Sequence, residues 1–97
     1  METTIKSLAA QPYDKLQIAK VTKTPALEIL SISLEKGTEF PEHTSPTDAH
    51  LIVLEGSIDF HIDDEPLHLE KYQYYAFPKA SPHWVKVREN SKFLIVR

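Results

Sequence analysis

The segment Ser57–Ile62, SIDFHI, alternates strictly, with Ile58, Phe60 and Ile62 on one side and Ser57, Asp59 and His61 on the other. That is the period of a half-buried β-strand. The pattern recurs in ALEILSISLEKG, where Leu30, Ile32 and Leu34 alternate with Ser31 and Ser33. Leu27 and Ile29 fall on the opposite face, so the first half of this strand is apolar on both sides. HLIVLEG is a continuous apolar run, which predicts a central strand covered on both faces and ended by Gly56. Asp63 and Asp64 suit a tight hairpin, because Asp tolerates left-handed backbone angles. PLHLEKY then returns with Leu67 and Leu69 inward, and Pro66 marks a place where no ladder donor is needed. With KLQIAKV between Pro12 and Pro25, and with YYAFP, HWVKV and KFLIVR, the chain is a series of short strands with no long helical period.

This pattern predicts an all-β fold, an antiparallel sandwich or barrel. Residues 16–97 form its single domain, and residues 1–15, which have no clean period, are expected to be an arm or short helix. At 97 residues the chain can close one core without staples. Seven prolines against two glycines favour stiff loops.

The absence of cysteine removes disulfides, thiolate metal sites and a cysteine nucleophile, and it fits a cytoplasmic location. No apolar run approaches the roughly 18 residues of a membrane span, and the N-terminal METTIKSLAAQPYDK lacks the apolar core of a secretory signal, so no membrane partner is expected. The net charge of −3, with both signs interspersed, leaves no basic stripe for nucleic acid. A small molecule or another protein chain remains as partner. ALEIL, HLIVL and KFLIV carry apolar residues on both faces, more than one small interior holds, which predicts a homodimer through one sheet face.

GTEFPEHTSPTDAHLIVLEG holds both glycines of the chain and two of its five histidines, and YQYYAFPKASPHWV follows in the second half. Together these stretches resemble the two motifs of the cupin superfamily, whose fold is an RmlC-like jelly-roll β-barrel. The resemblance runs from about Leu34 to the C-terminus. Gly37, His43 and Gly56 stand at the first motif's Gly, first His and closing Gly, and Pro78 and His83 at the second motif's Pro and His. Ser45 replaces the second His, Ala49 the Glu, and Ala80 the second motif's Gly.

The resemblance implies a pocket at the barrel mouth formed by His43, Ser45, His50 and His83. It also implies a divalent transition metal, iron, manganese, nickel or zinc, on His43 and His83, yet an ion needs three or four ligands. His50 or Asp48 is the candidate third, but if position 49 faces inward then strand alternation turns His50 outward unless a bulge intervenes. His43 has two readings, a loop histidine bonded to the backbone of PEHTSPTD or a pocket residue. Placing His83 inside carries Val85 and Val87 inward with it, which suits packing. His61 and His68 fall on the outer faces of a hairpin as surface neighbours. Phe40, Tyr74, Tyr75, Phe77 and Trp84 supply either pocket walls or plain core and interface.

Three functions are compatible with these residues. The first is a small-molecule binding module without a tightly held metal, in which the neutral imidazoles of His43 and His83 hold a carboxylate or carbonyl. The second is a metal-dependent enzyme of the dioxygenase or isomerase kind. The third is a structural dimerisation module, for which Trp84 and Leu54 would matter and His43 would not.

Overall fold

The computed structural model describes Ile5 and residues 7–97. Among the described residues, nine strands follow a 3-10 turn at Leu8–Ala10: β1 Leu16–Lys23, β2 Glu28–Leu34, β3 Glu39–His43, β4 Ala49–Glu55, β5 Ser57–Ile62, β6 Glu65–Glu70, β7 Tyr74–Phe77, β8 His83–Lys86 and β9 Ser91–Val96. They form a five-stranded sheet in the order β1-β2-β9-β4-β7 and a four-stranded sheet in the order β3-β8-β5-β6, every pair antiparallel. This is the all-β jelly roll expected. Among the described residues no helix is long and apolar enough to cross a membrane.

Strand alternation fills the space between the sheets. Ile32, Leu34, Leu51, Val53, Phe93 and Ile95 point in from the larger sheet, and Ile58, Phe60, Ile62 and Val85 from the smaller, each buried. The Asp63–Asp64 turn has φ of 50° and 63°, and Ile62 pairs directly with Glu65, so this is a two-residue hairpin whose positive angles Asp accommodates. Pro41 lies in β3 and Pro66 in β6, the two edge strands of the smaller sheet, where a missing backbone donor costs no pairing.

Two departures from the sequence pattern have clear causes. The run in β4 is buried on its inner side only, since His50 is exposed and Ile52 and Leu54 are half-buried outside. The outward Ser31 and Ser33 are fully buried because the segment before β1 crosses that face. Ser31 Oγ donates to Gln11 Oε1 at 2.6 Å, and Ser33 Oγ to the carbonyl of Pro12 at 2.8 Å. Lys92 reaches the same segment, donating to the carbonyls of Leu8 at 2.5 Å and Gln11 at 3.1 Å, with its ammonium 5.1 Å from the Tyr13 ring centroid. Burial lowers the Lys92 pKa, and Glu55 opposes that shift. The arm or short helix expected over residues 1–15 lies in part, at residues 1–4 and 6, outside the described residues.

Gly56 joins the two sheets. It has φ of +70°, and a Cβ there would collide with the Asn90 carbonyl and the Ser91 side chain. Ser91 Oγ accepts the Ser57 N–H at 3.2 Å and lies 2.8 Å from the Ser57 carbonyl, so the crowded atoms are themselves tied into the crossover. Gly56→Ala is therefore expected to cost about 2–5 kcal/mol, combining left-handed strain with overpacking. Urea denaturation checks this, and an unchanged midpoint would contradict the crossover geometry.

Candidate functional site

His43 ends β3 and His83 begins β8, and the two are register partners across that ladder. Ile62 pairs with His83 from the other side. The rings of His43 and His83 meet edge to face with centroids 4.1 Å apart. Phe40 stacks on His43 at 4.0 Å, and Phe77 and Phe60 flank His83 at 4.7 and 5.4 Å. His83 is buried and His43 half-buried.

The loops that hold the histidines are laced together. The Ala80 N–H donates to the Ser45 carbonyl at 2.9 Å, and the Lys79 N–H to Asp48 Oδ1 at 2.9 Å. Ala80 sits at φ of 64°, which accounts for the glycine that the resembled motif carries at this position. Each imidazole donates Nδ1–H to a carbonyl two residues before it, His43 to Pro41 at 2.7 Å and His83 to Ser81 at 2.8 Å. Because a carbonyl oxygen only accepts, Nδ1 carries the proton in both rings and the neutral ring leaves Nε2 as a lone pair. Both readings of His43 thus hold together, since its backbone bond is what orients it in the pocket.

Both rings favour the neutral form. Burial pushes the pKa of His43 down, the bond to Pro41 opposes this, and the positive charge of Arg97 adds to the lowering. For His83 burial again dominates, the bond to Ser81 opposes it, and His43 and Arg97 lower it further.

The pair borders a cavity of about 440 Å³. Leu30, Ile32, Phe40, Phe77 and Ile95 supply apolar walls, Ser45 and Thr44 lie beside His43, and Lys20, Glu28 and Arg97 stand across from them in the larger sheet. Of the expected aromatic walls, only Phe40 and Phe77 line this cavity. Tyr75 packs on the core beside Phe60, and Trp84 stacks on His61 outside the smaller sheet at 3.7 Å. His68 faces outward and bonds Asp59 at 2.8 Å.

His50 does not join the site. Ala49 is buried, so alternation turns His50 to the outer face, where its Nδ1 lies 2.5 Å from Tyr74 Oη. Asp48, the other expected third ligand, is exposed and engaged with the Lys79 N–H. No bulge interrupts β4 at this end, as His50 pairs regularly with Ala76 and Val96. The expectation of His50 as a pocket residue is thereby corrected, and strand parity is the reason.

The same geometry decides how well a transition ion fits. The Nδ1–H bonds to carbonyls are of the kind that orient metal-bound imidazoles. The donor set nevertheless stops at two. Ser45 turns its hydroxyl to the Thr47 carbonyl at 2.7 Å, Ala49 offers only a methyl group, and among the described residues no group of three His, Cys, Asp or Glu side chains is gathered as an ion requires. The residues present do not fit a tightly held metal.

Lys20, Glu28 and Arg97 were not anticipated as site residues. Their signal was present in the parity of the strands, since each stands two positions beyond an inward apolar residue, respectively Ile18, Leu30 and Ile95.

The cupin domain family matches residues 30–96. Among solved structures, the chain is similar to an RmlC-like cupin protein from Desulfovibrio desulfuricans, at 23% identity and a TM-score of 0.85, covering 99% of this chain and 95% of that one. It is similar also to a conserved protein of unknown function from Streptococcus pyogenes, at 26% identity and a TM-score of 0.82, over 99% and 87% of the two chains. A third is an RmlC-like cupin family protein with a double-stranded β-helix fold from Methanocaldococcus jannaschii, at 19% identity and a TM-score of 0.86, over 100% and 91%. Comparison with curated protein sequences finds no match. With most of the chain matched by the family and the barrel shared with these structures, the protein belongs to the cupin domain family.

Proposed function

We propose that the protein binds a small organic molecule in the barrel mouth, with Nε2 of His43 and His83 as its polar contacts and no tightly held ion. The observation that carries this reading is the pairing of two neutral imidazoles, each tethered through Nδ1, at the wall of an apolar cavity of about 440 Å³. That volume falls within the range of ligand pockets, roughly 300–1,000 Å³. The metal-dependent dioxygenase or isomerase reading is disfavoured by the two-donor set.

Elemental analysis of untagged protein, purified without a chelating column, is expected to find iron, manganese, nickel and zinc well below one per chain. A stoichiometric ion that disappears in both His43→Ala and His83→Ala would overturn the metal-free reading. The double change Ser45→His with Ala49→Glu restores two donors at buried positions beside the pair and is expected to confer ion binding.

The histidines also make stability depend on pH. Both pKa values lie below the ordinary 6.5 in the folded protein, so the unfolded chain takes up protons first as pH falls. Their contribution is complete above pH 6.5 and is lost as pH drops through the folded values. Denaturation midpoints are expected to be level above neutrality and to decline as pH falls below 6.5. The His43→Gln, His83→Gln double variant should decline less over that range.

A second proposal concerns association. The outer face of the larger sheet carries Ile29, Ile52, Leu94 and Val96, neighbours in register and all half-buried. We infer a homodimer through this face, which would cover apolar area worth roughly 25 cal/mol per Å². Light scattering is expected to give twice the chain mass for the native protein and the single mass for Leu94→Lys. A native monomer at micromolar concentration would overturn it.

A further inference from the structure

The apolar wall of the larger sheet ends, at the barrel mouth, in three charged side chains. Backbone bonds join Glu28 and Arg97 in both directions, at 2.6 and 2.9 Å, and Lys20 lies opposite Leu30 on the neighbouring strand. Glu28 accepts from Arg97 Nε at 2.9 Å and faces Lys20 Nζ at 3.4 Å. One carboxylate therefore serves two cations, and the cluster keeps a net charge of +1.

The way Glu28 is used leaves most of the guanidinium free. Its contact is through Nε alone, and the terminal Nη groups of Arg97 have no partner among the described residues. No buried side-chain nitrogen there lacks a partner, so these groups are open to solvent, and Arg97 itself lines the cavity. A guanidinium edge with spare N–H groups matches a planar carboxylate. Across the cavity, the tethered imidazoles present lone pairs and so call for a group that brings its own hydrogen.

Resting on the pocket reading above, we propose that the ligand is a small organic carboxylate, its anionic end on Arg97 and Lys20 and a hydroxyl or N–H at its other end donating to Nε2 of His43 or His83. An apolar body between the two ends packs against Leu30, Ile32, Phe77 and Ile95. A phosphate dianion would be only half compensated by a cluster of net charge +1, and a cation would be repelled. A neutral ligand would leave the guanidinium edge to water. Glu28 sets the strength of the site, because its carboxylate competes with the ligand's for the same two cations.

The test is calorimetric titration of the full chain with 6-hydroxyhexanoate, its amide, hexanoate and 6-hydroxyhexyl phosphate. The hydroxy acid is expected to bind about tenfold more tightly than its amide and more tightly than hexanoate, with affinity falling as salt is added. Arg97→Gln should remove the preference for acid over amide. Glu28→Gln, which frees both cations, should strengthen acid binding severalfold, and it keeps the inference testable if Arg97→Gln does not fold. Equal affinity for acid and amide, with signals lost in His83→Ala, leaves the pocket reading standing and overturns the carboxylate assignment. Tighter binding of the phosphate overturns it too, as does weaker acid binding by Glu28→Gln. Absence of any binding up to about 10 mM sinks both readings.

Discussion

The register of β3 against β8 sets the character of the barrel mouth. It places His43 directly opposite His83, and the pairing of β8 with β5 fixes which way His83 faces. Once His83 points inward, Val85 does so as well, and the strand that presents the imidazole also packs the core. The site cannot shift along this ladder by one residue without exposing that valine and burying Trp84 and Lys86. The chemistry at the mouth is therefore held by the same hydrophobic burial that holds the barrel.

Within that frame, local bonds decide the chemical state of the rings. Two carbonyls, of Pro41 and Ser81, consume the Nδ1 protons, and burial together with Arg97 keeps the rings uncharged. Ser45 and Ala49 remove what would have been the remaining ligands, yet both side chains stay buried, so the space is retained while the donors are not. The imidazoles are left as acceptors facing a cationic edge across an apolar gap. The cavity between them is thus polar at both ends and apolar in the middle.

Most of the barrel was legible in the sequence because a strand's period of two survives in a small sandwich with one core. SIDFHI gave β5 with its inward set, and Asp63–Asp64 gave the hairpin. Parity posed the question of His50 without answering it, and the burial of Ala49 turns that histidine outward, against its expected place in the pocket. What the period did not disclose depends on contacts distant in the chain. Ser31 and Ser33 look like a solvent face until Gln11, Pro12 and Lys92 are brought to them. Lys20, Glu28 and Arg97 look like ordinary strand-end charges until β1, β2 and β9 align them. Ala80 follows the same rule, for its positive φ accompanies a bond to Ser45 in a loop distant in the chain.

The prolines of the smaller sheet have an effect beyond their own strands. Pro41 and Pro66 stand on the two strands that bound that sheet, so neither border offers an unbroken row of amide donors to an incoming chain. On the larger sheet the border strand β7 is only four residues long, and β1 is interrupted by an irregularity near Val21. A sequence this rich in alternating apolar residues carries an inherent hazard of cross-β growth during synthesis and turnover. Borders interrupted in this way weaken the edges on which such growth would start.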